Sequence, residues 1–221
     1  MATTQLMVLS GAGRYADAWH DFPATSARLA EIVAGPGRHV RVIDDVESGL
    51  ARLDGTDLLV VNLGSSADGE PNPSGAAAID GLRTYLDRGG PVLAVHAAAM
   101  AFTTETCWSQ MIGGHWIRGT SMHPPYGPAH LTLVGSDHPI TAGLGDLELP
   151  DERYSYLATE PGITVLYEHE HDGLQHPVIW ALESGGRRAV YDGLGHALPA
   201  YDDAAHCRLL RQAVGWLLRE T

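Results

Sequence analysis

Lysine is missing from this chain of 221 residues, and all 14 basic residues are arginine. The absence excludes Schiff-base chemistry, attachment of pyridoxal phosphate and the phosphate-binding lysine of a P-loop. Cysteine is scarce as well, since Cys107 and Cys207 form no CxxC motif and offer no disulfide framework. No apolar run approaches the ~20 residues of a membrane span, and the amino terminus lacks a basic region before its short apolar segment. We therefore expect a cytoplasmic protein.

The chain also has few positively charged residues, 14 against 27 acidic ones. The net charge of −13 argues against nucleic acid and anionic membrane surfaces as partners, because both select basic patches. A hydrophobic fraction of 44% and a charged fraction of 19% are typical of soluble globular proteins. At this length the chain can bury a sizeable core, and we expect residues 1–221 to form a single domain.

Strand and helix patterns alternate in the first half of the chain, which predicts parallel strands joined by right-handed crossovers. In such sheets ligands bind beyond the carboxyl ends of the strands. The predicted strands are Gln5–Ser10, Val40–Ile43, Asp57–Leu63 and Val92–Val95, and the predicted helices are Phe22–Ala34 and about Gly75–Leu86, with a polar loop at Ser65–Pro73.

Short β-like runs dominate the second half, before a closing amphipathic helix at Asp202–Arg219. We expect these runs to add antiparallel strands at one side of the sheet. The fold class is therefore α/β, a three-layer sandwich of the flavodoxin-like kind with a mostly parallel central sheet. The runs are Leu131–Val134, Ile163–Glu168, Pro177–Leu182 and Arg188–Tyr191.

The most informative segment is the buried strand Val92–Val95 with the histidine that follows it. A strand that ends abruptly before small, helix-forming residues has the layout of a nucleophile elbow, which presents one side chain at the carboxyl edge of a parallel sheet. Esterases place serine there and amidotransferases cysteine, but this chain has His96. Any activity must therefore come from imidazole, carboxylate or a metal ion.

A glycine-rich segment, Gly11–Ala16, matches GxGxxA after the first predicted strand, and Asp44 and Asp45 follow the second. A dinucleotide site needs a helix that begins within the glycine motif. Here Pro23 opens the helix ten residues past Gly13, so we expect a loop that lines a pocket. An NAD-dependent oxidoreductase stays the last-ranked alternative.

Three further segments carry polar groups suited to a small-molecule site. Residues 112–127 combine Trp116, Arg118 and His123, which suits sugar recognition or metal binding. Glu152 and His196 stand at predicted element ends, where they could meet His96 as an acid–base set. The run of histidines and acids at residues 168–172 is interpreted instead as the polar end of a hairpin.

Together these motifs resemble the ThuA-like (trehalose utilisation) family, whose fold is similar to that of class I glutamine amidotransferases. The resemblance implies a bacterial protein of carbohydrate metabolism tied to disaccharide use, through 3-keto sugar derivatives among others. Because His96 takes the elbow position of the amidotransferase cysteine, glutamine hydrolysis through a thiolate is not expected. The resemblance rests on Val95–Ala98, Gly113-Gly114, His123-Pro124, His138–Leu144, Asp151–Tyr154, Pro177–Trp180 and Gly195-His196.

We therefore expect an enzyme that acts on a small sugar derivative as an isomerase, lyase or hydrolase. His96, Glu152 and His196 are the predicted catalytic residues, working by acid–base chemistry or around a divalent metal such as Zn²⁺. The alternative is a non-catalytic sugar-binding or regulatory protein. The sequence leaves the cofactor and the oligomeric state open, a homo-oligomer included. The predicted sugar-facing residues are Gly13, Trp116, His123 and Tyr154, and the candidate metal ligands are His96, His123 and His196.

Overall fold

A computed structural model describes residues 3–65 and 73–220. The α-helices are α1 (Phe22–Val33), α2 (Val46–Leu50), α3 (Ala76–Asp87), α4 (Thr106–Ile112) and α5 (Ala204–Leu217). The strands are β1 (Thr4–Ser10), β2 (Arg38–Ile43), β3 (Leu58–Asn62), β4 (Val92–Val95), β5 (Gly114–His115), β6 (Gly127–Leu133), β7 (Leu147–Asp151), β8 (Ala158–Thr159), β9 (Ile163–His171), β10 (Leu174–Ser184) and β11 (Arg187–Asp192).

Within the described residues, nine strands form one sheet in the order β2-β1-β3-β4-β11-β10-β9-β6-β7. The pairings from β2 to β11 are parallel, and those from β11 to β7 are antiparallel. The predicted α/β sheet with antiparallel strands added in the second half is therefore confirmed. One detail differs: β11 was expected among the antiparallel additions, but it also pairs parallel with β4 and so joins the two halves.

Alternate residues along β1 point to opposite faces of the sheet and so reveal the three layers. Leu6 and Val8 belong to the apolar cluster that contains buried residues of α1 and α5. Met7 and Leu9 belong to the cluster formed with α2, α3 and α4. Helices thus cover both faces of the sheet, as its parallel half requires.

The helices begin where the sequence places their caps. The Asp21 carboxylate accepts a hydrogen bond from Ala24 N–H (3.1 Å), and Pro23 lies in the first turn of α1.

The predicted loop Ser65–Pro73 falls largely on residues 66–72, outside the described residues. Cys107 lies on α4 and Cys207 on α5, and burial raises the pKa of both thiols. In the described part of the chain, no helix combines the length and apolarity that a membrane crossing demands.

Candidate functional site

His96 stands directly after β4, at the carboxyl edge of the parallel half of the sheet. Its φ of 47° lies in the left-handed region, which costs a non-glycine residue about 1–3 kcal/mol. The side chain is buried, and Nδ1 lies 2.8 Å from the carbonyl oxygen of Gly193. Because a carbonyl can only accept, Nδ1 carries a proton, and Nε2 is the ring nitrogen that faces Glu152. The strained elbow therefore aims Nε2 into the site.

Asp151, the last residue of β7, holds the two other predicted catalytic residues in place. Its buried carboxylate accepts hydrogen bonds from the backbone N–H groups of Glu152 (2.8 Å), Gly195 (2.6 Å) and His196 (3.1 Å). Burial raises the pKa of Asp151, and the neighbouring His96 and these backbone donors oppose that rise. One carboxylate thus fixes the positions of Glu152 and His196 together.

The three residues predicted to be catalytic meet in the structure. Glu152 Oε2 lies 3.4 Å from His96 Nε2 and 3.3 Å from His196 Nδ1. The other oxygen of Glu152, Oε1, faces His123, whose Nδ1 is 3.5 Å away. One carboxylate oxygen of Glu152 therefore faces His96 and His196, and the other faces the more exposed His123.

A fourth member of the site, His20, was not predicted from the sequence. It lies in the long loop between β1 and α1, where Nδ1 lies 2.8 Å from the Asp17 carboxylate. Its ring centroid lies 5.1 Å from that of His96 and 4.7 Å from that of His196. The available signal was the position of this loop, because loops after the carboxyl ends of parallel strands supply ligand-binding groups.

The side chains of the site differ in how readily they ionise. Burial opposes ionisation of Glu152, but its contacts with His196 and His96 outweigh this and hold its pKa well below the usual range. The contact with Glu152 raises the pKa of His196 despite partial burial. Burial and the nearby His96 lower the pKa of His20, against the opposing effect of Asp17. The site therefore combines an ionised carboxylate with at least one neutral imidazole.

Four of these side chains have the arrangement of a metal site. In the described part of the chain, one ligand atom each from His20, His96, Glu152 and His196 lies within 4.8 Å of the other three. His20 Nε2, His96 Nε2 and His196 Nδ1 are buried without a hydrogen-bond partner. Imidazole nitrogens and one carboxylate oxygen are ligands that Zn²⁺ takes, with four-coordinate tetrahedral geometry. His123, a candidate ligand from sequence, stands outside this set.

Two distances in the cluster are close to the spacing of ligands around one metal ion. The contacts of 3.3 and 3.4 Å from Glu152 to His196 and His96 exceed the ~2.7–2.9 Å of a charge-assisted hydrogen bond. They are close to the spacing of about 3.3 Å between ligands bonded to one ion at about 2.0 Å, and the four ligand atoms together lie within 4.8 Å of one another. The hydrogen bonds of His96 to Gly193 and of His20 to Asp17 orient ligating rings in the way that metal-binding histidines are usually oriented.

A cavity of about 700 Å³ opens onto this cluster, with His20 and Glu152 in its wall. Trp116, His123 and Tyr154 also line it, as expected for sugar-facing residues, although Tyr154 is almost fully buried. Trp19, which was not predicted, lines the same cavity with 77% of its surface exposed. The fourth predicted wall residue, Gly13, does not line the cavity; it begins a 3₁₀ helix.

In the glycine-rich segment Gly11 is required by packing, while Ala16, the last residue of the segment, lines the cavity. A Cβ at Gly11 would lie 2.5 Å from the Phe22 ring and 2.6 Å from the carbonyl oxygen of Tyr15. Helix α1 begins at Phe22, and the helix that starts within the motif is a 3₁₀ helix of three residues, Gly13–Tyr15, so no α-helix amino terminus lies there to hold a pyrophosphate. Asp45 accepts from Ser48 N–H as the cap of α2. This geometry disfavours the dinucleotide alternative.

The histidines and acids at residues 168–172 lie at a hairpin end, as predicted. Strand β9 ends at His171 and β10 begins at Leu174. His169 Nε2 lies 3.0 Å from the carbonyl oxygen of Tyr154, so this ring already has a backbone partner. The hairpin interpretation is confirmed.

The solved structures most informative for the fold share little sequence with this chain. A ThuA-like protein from Parabacteroides merdae has a TM-score of 0.80 at 17% identity, covering 100% of this chain and 91% of that one. Another, from Bacteroides uniformis, has a TM-score of 0.77 at 17% identity, with 98% and 92% covered. A glutamine amidotransferase from Thermotoga maritima has a TM-score of 0.59 at 12% identity, with 99% of each chain covered.

Fold and site together define an α/β protein of glutamine amidotransferase-like fold that carries a histidine–glutamate cluster beside its elbow. The family model described as "ThuA: Trehalose utilisation" matches residues 6–217. The chain therefore belongs to the ThuA family. A search of the curated proteins finds no match to the sequence.

Proposed function

We propose that this protein is a metal-dependent enzyme of carbohydrate utilisation that acts on a small sugar derivative. The observation that carries the proposal is the convergence of three buried histidine nitrogens, each without a hydrogen-bond partner, on the carboxylate of Glu152. Buried polar atoms are almost always paired. A divalent cation would satisfy all three nitrogens at once, and Zn²⁺ suits this ligand set best.

The cluster is placed for chemistry and not only for stability. His20 and Glu152 line the cavity, so a substrate oxygen in the cavity can reach the ligand set. Since four protein ligands fill a tetrahedral set, a divalent ion held there would need a fifth position for a substrate oxygen or a water molecule, and it would polarise a bound carbonyl group or lower the pKa of bound water. Family membership in trehalose utilisation supports a carbohydrate as the substrate. Trp116, which packs edge-on against the buried Tyr154 with ring centroids 4.8 Å apart, supplies an aromatic surface of the kind that stacks on sugar rings.

His123 is the residue that we assign to proton transfer. It lines the cavity, stands outside the ligand set and contacts Glu152 Oε1, the oxygen that faces away from the buried histidines. A 3-keto sugar has an acidic proton beside its carbonyl, which a neutral imidazole in the cavity can remove. In this mechanism His20, His96, Glu152 and His196 hold the cation, and His123 moves the proton.

A second candidate is metal-free acid–base catalysis by His96, Glu152 and His196, as the sequence predicted. The raised pKa of His196 beside Glu152 favours it, because a protonated imidazole there could serve as a general acid. Both candidates use the same nitrogen atoms. Metal content therefore separates them.

The function is tested by incubating zinc-loaded protein with trehalose and 3-keto-trehalose and following products by NMR. We expect the wild type to turn over at least one of the two sugars. Glu152→Gln should lose both its zinc and its activity. His123→Asn should retain zinc but react 10²–10⁴-fold more slowly. His130→Asn is the matched control, since His130 is exposed and pairs with Glu148 away from the site. Binding of either sugar without turnover would identify a sugar-binding or regulatory protein instead. Full activity in Glu152→Gln would refute the proposed site.

A further inference from the structure

Trp19 is the most exposed large hydrophobic side chain in the described part of the chain, with 77% of its surface open. The other tryptophans are better covered, since Trp108, Trp180 and Trp216 are buried and Trp116 is partly buried. Single exposed hydrophobic side chains are common on protein surfaces. Among those of the described residues, however, Trp19 alone lines the cavity that opens onto the histidine–glutamate cluster.

The backbone at Trp19 is held in place although its side chain is open. The Asp17 carboxylate accepts hydrogen bonds from the backbone N–H groups of Trp19 and His20, both at 2.9 Å. The same carboxylate lies 2.8 Å from Nδ1 of the His20 ring. That ring stacks on Phe22, the first residue of α1, with centroids 5.1 Å apart. Trp19 is therefore the neighbour of a residue of the proposed ligand set, and one carboxylate fixes the backbone of both.

The surface of Trp19 suits a ligand that has an apolar ring face. Indole is a broad apolar ring with a polar N–H at its edge, and it gains most when another surface covers it. Polar groups of Asp17, His123 and Glu152 lie in the wall of the same cavity. Apolar and aromatic walls with a few placed polar groups are typical of small-molecule sites. A sugar ring presents the matching surfaces, a face of C–H groups and an edge of hydroxyls.

We infer that Trp19 is a substrate-contacting residue that determines specificity, and that its indole covers an apolar face of the sugar ring bound at the histidine–glutamate cluster. The inference rests on the proposed function, because it takes the ligand to be a sugar. Trp19 stands outside the metal ligand set, so it selects the ligand without holding the metal. Sugar binding therefore buries indole surface that is open in the free protein.

Acrylamide quenching of tryptophan fluorescence tests the contact, because acrylamide reaches exposed indoles far better than buried ones. The probe is 3-keto-trehalose, added to zinc-loaded protein. Saturating sugar should lower the quenching constant of the wild type to about that of Trp19→Phe. In Trp19→Phe the same sugar should change quenching much less, since its four remaining tryptophans are buried or partly buried.

Calorimetry tests the contribution of Trp19 to specificity. Trp19→Ala should bind 3-keto-trehalose about tenfold more weakly, and Trp19→Phe, which keeps an aromatic face, should recover most of the affinity. Both variants should retain one zinc ion per chain. Acetohydroxamate, a small zinc ligand without a ring, should bind the wild type and Trp19→Ala alike. Leu174→Ala is the matched control, because Leu174 is also exposed but does not line the cavity.

The outcomes separate this inference from the proposed function. Equal sugar affinity in the wild type and Trp19→Ala, with wild-type quenching unaffected by sugar, overturns the assignment of Trp19 and leaves the proposed function standing. A wild type that binds acetohydroxamate but not 3-keto-trehalose or trehalose overturns the carbohydrate assignment, and the inference about Trp19 with it.

Discussion

Replacement of Asp151 by asparagine should weaken metal binding although Asp151 is not itself a ligand. The two carboxylate oxygens accept three backbone hydrogen bonds, from Glu152, Gly195 and His196. An asparagine offers one acceptor oxygen and turns an amide donor toward the remaining N–H. Two of these backbone groups belong to residues whose side chains are in the ligand set. The variant should therefore disturb the positions of Glu152 and His196.

The size of the effect follows from the bonds lost. A hydrogen bond to a charged group contributes about 1.5–3 kcal/mol, and relief of the buried charge, which raises the pKa of Asp151, offsets part of the loss. We expect a net destabilisation of about 1–2 kcal/mol. For a protein of this size that lowers Tm by roughly 2–8 °C. Loss of groups that orient ligands typically costs 10–100-fold in metal affinity.

The assay separates stability from binding. Thermal unfolding with a chelator present gives the destabilisation of the metal-free protein, and zinc titration against a competing indicator gives the affinity. Glu148→Gln is the control, because Glu148 lies on the same strand and its contact with His130 is exposed. It should change Tm by less than about 2 °C. Unchanged zinc affinity in Asp151→Asn would refute the positioning function of Asp151.

Two further predictions concern residues that do not belong to the cluster itself, the buried pair His206 and Asp192 and the turn residue Gly195. Burial opposes protonation of His206, but the Asp192 carboxylate at 2.7 Å outweighs this and raises its pKa to about 9. Since imidazole titrates near 6.5 in an unfolded chain, this pair should stabilise the fold by roughly 3 kcal/mol below pH 6.5 and lose that contribution as pH rises through 9. Urea unfolding from pH 6 to 10 should show the free energy of unfolding of the wild type declining. In the double variant Asp192→Asn with His206→Gln this decline should be absent. If the wild type and the double variant have the same pH profile, the assignment of the stabilisation to this pair is wrong. Gly195→Ala should lower both Tm and zinc affinity, because φ there is +107° and a Cβ would lie 2.2 Å from Tyr201 Oη; a variant with wild-type zinc affinity would show that this turn does not position His196.

Most of the fold can be predicted from the sequence because the patterns that mark strands and helices are local. Apolar runs and caps such as Asp21 fix the strands and helices of the first half. The parallel pairing of β11 with β4 was not predictable in this way, because an isolated strand such as Arg187–Asp192 carries no signal of its direction. That pairing is decided by contacts between distant parts of the chain.

The site was predicted only where its residues follow recognisable elements. His96, Glu152 and His196 each stand at the end of a strand or in the turn after one, and the structure brings them together. His20 was missed because nothing local distinguishes a ligating histidine in a loop from a solvated one. Gly13 was expected in the sugar-facing wall on the strength of its motif, yet the conformation of the loop places it elsewhere.

Metal content tests the central claim most directly. Untagged wild-type protein, His96→Ala and the remote control His130→Ala would be equilibrated with a slight excess of zinc, desalted and measured by plasma mass spectrometry. We predict one zinc ion per chain in the wild type and in His130→Ala, and loss of the ion in His96→Ala. A wild-type protein that retains no divalent metal would contradict it, and would direct the search for function to metal-free acid–base chemistry.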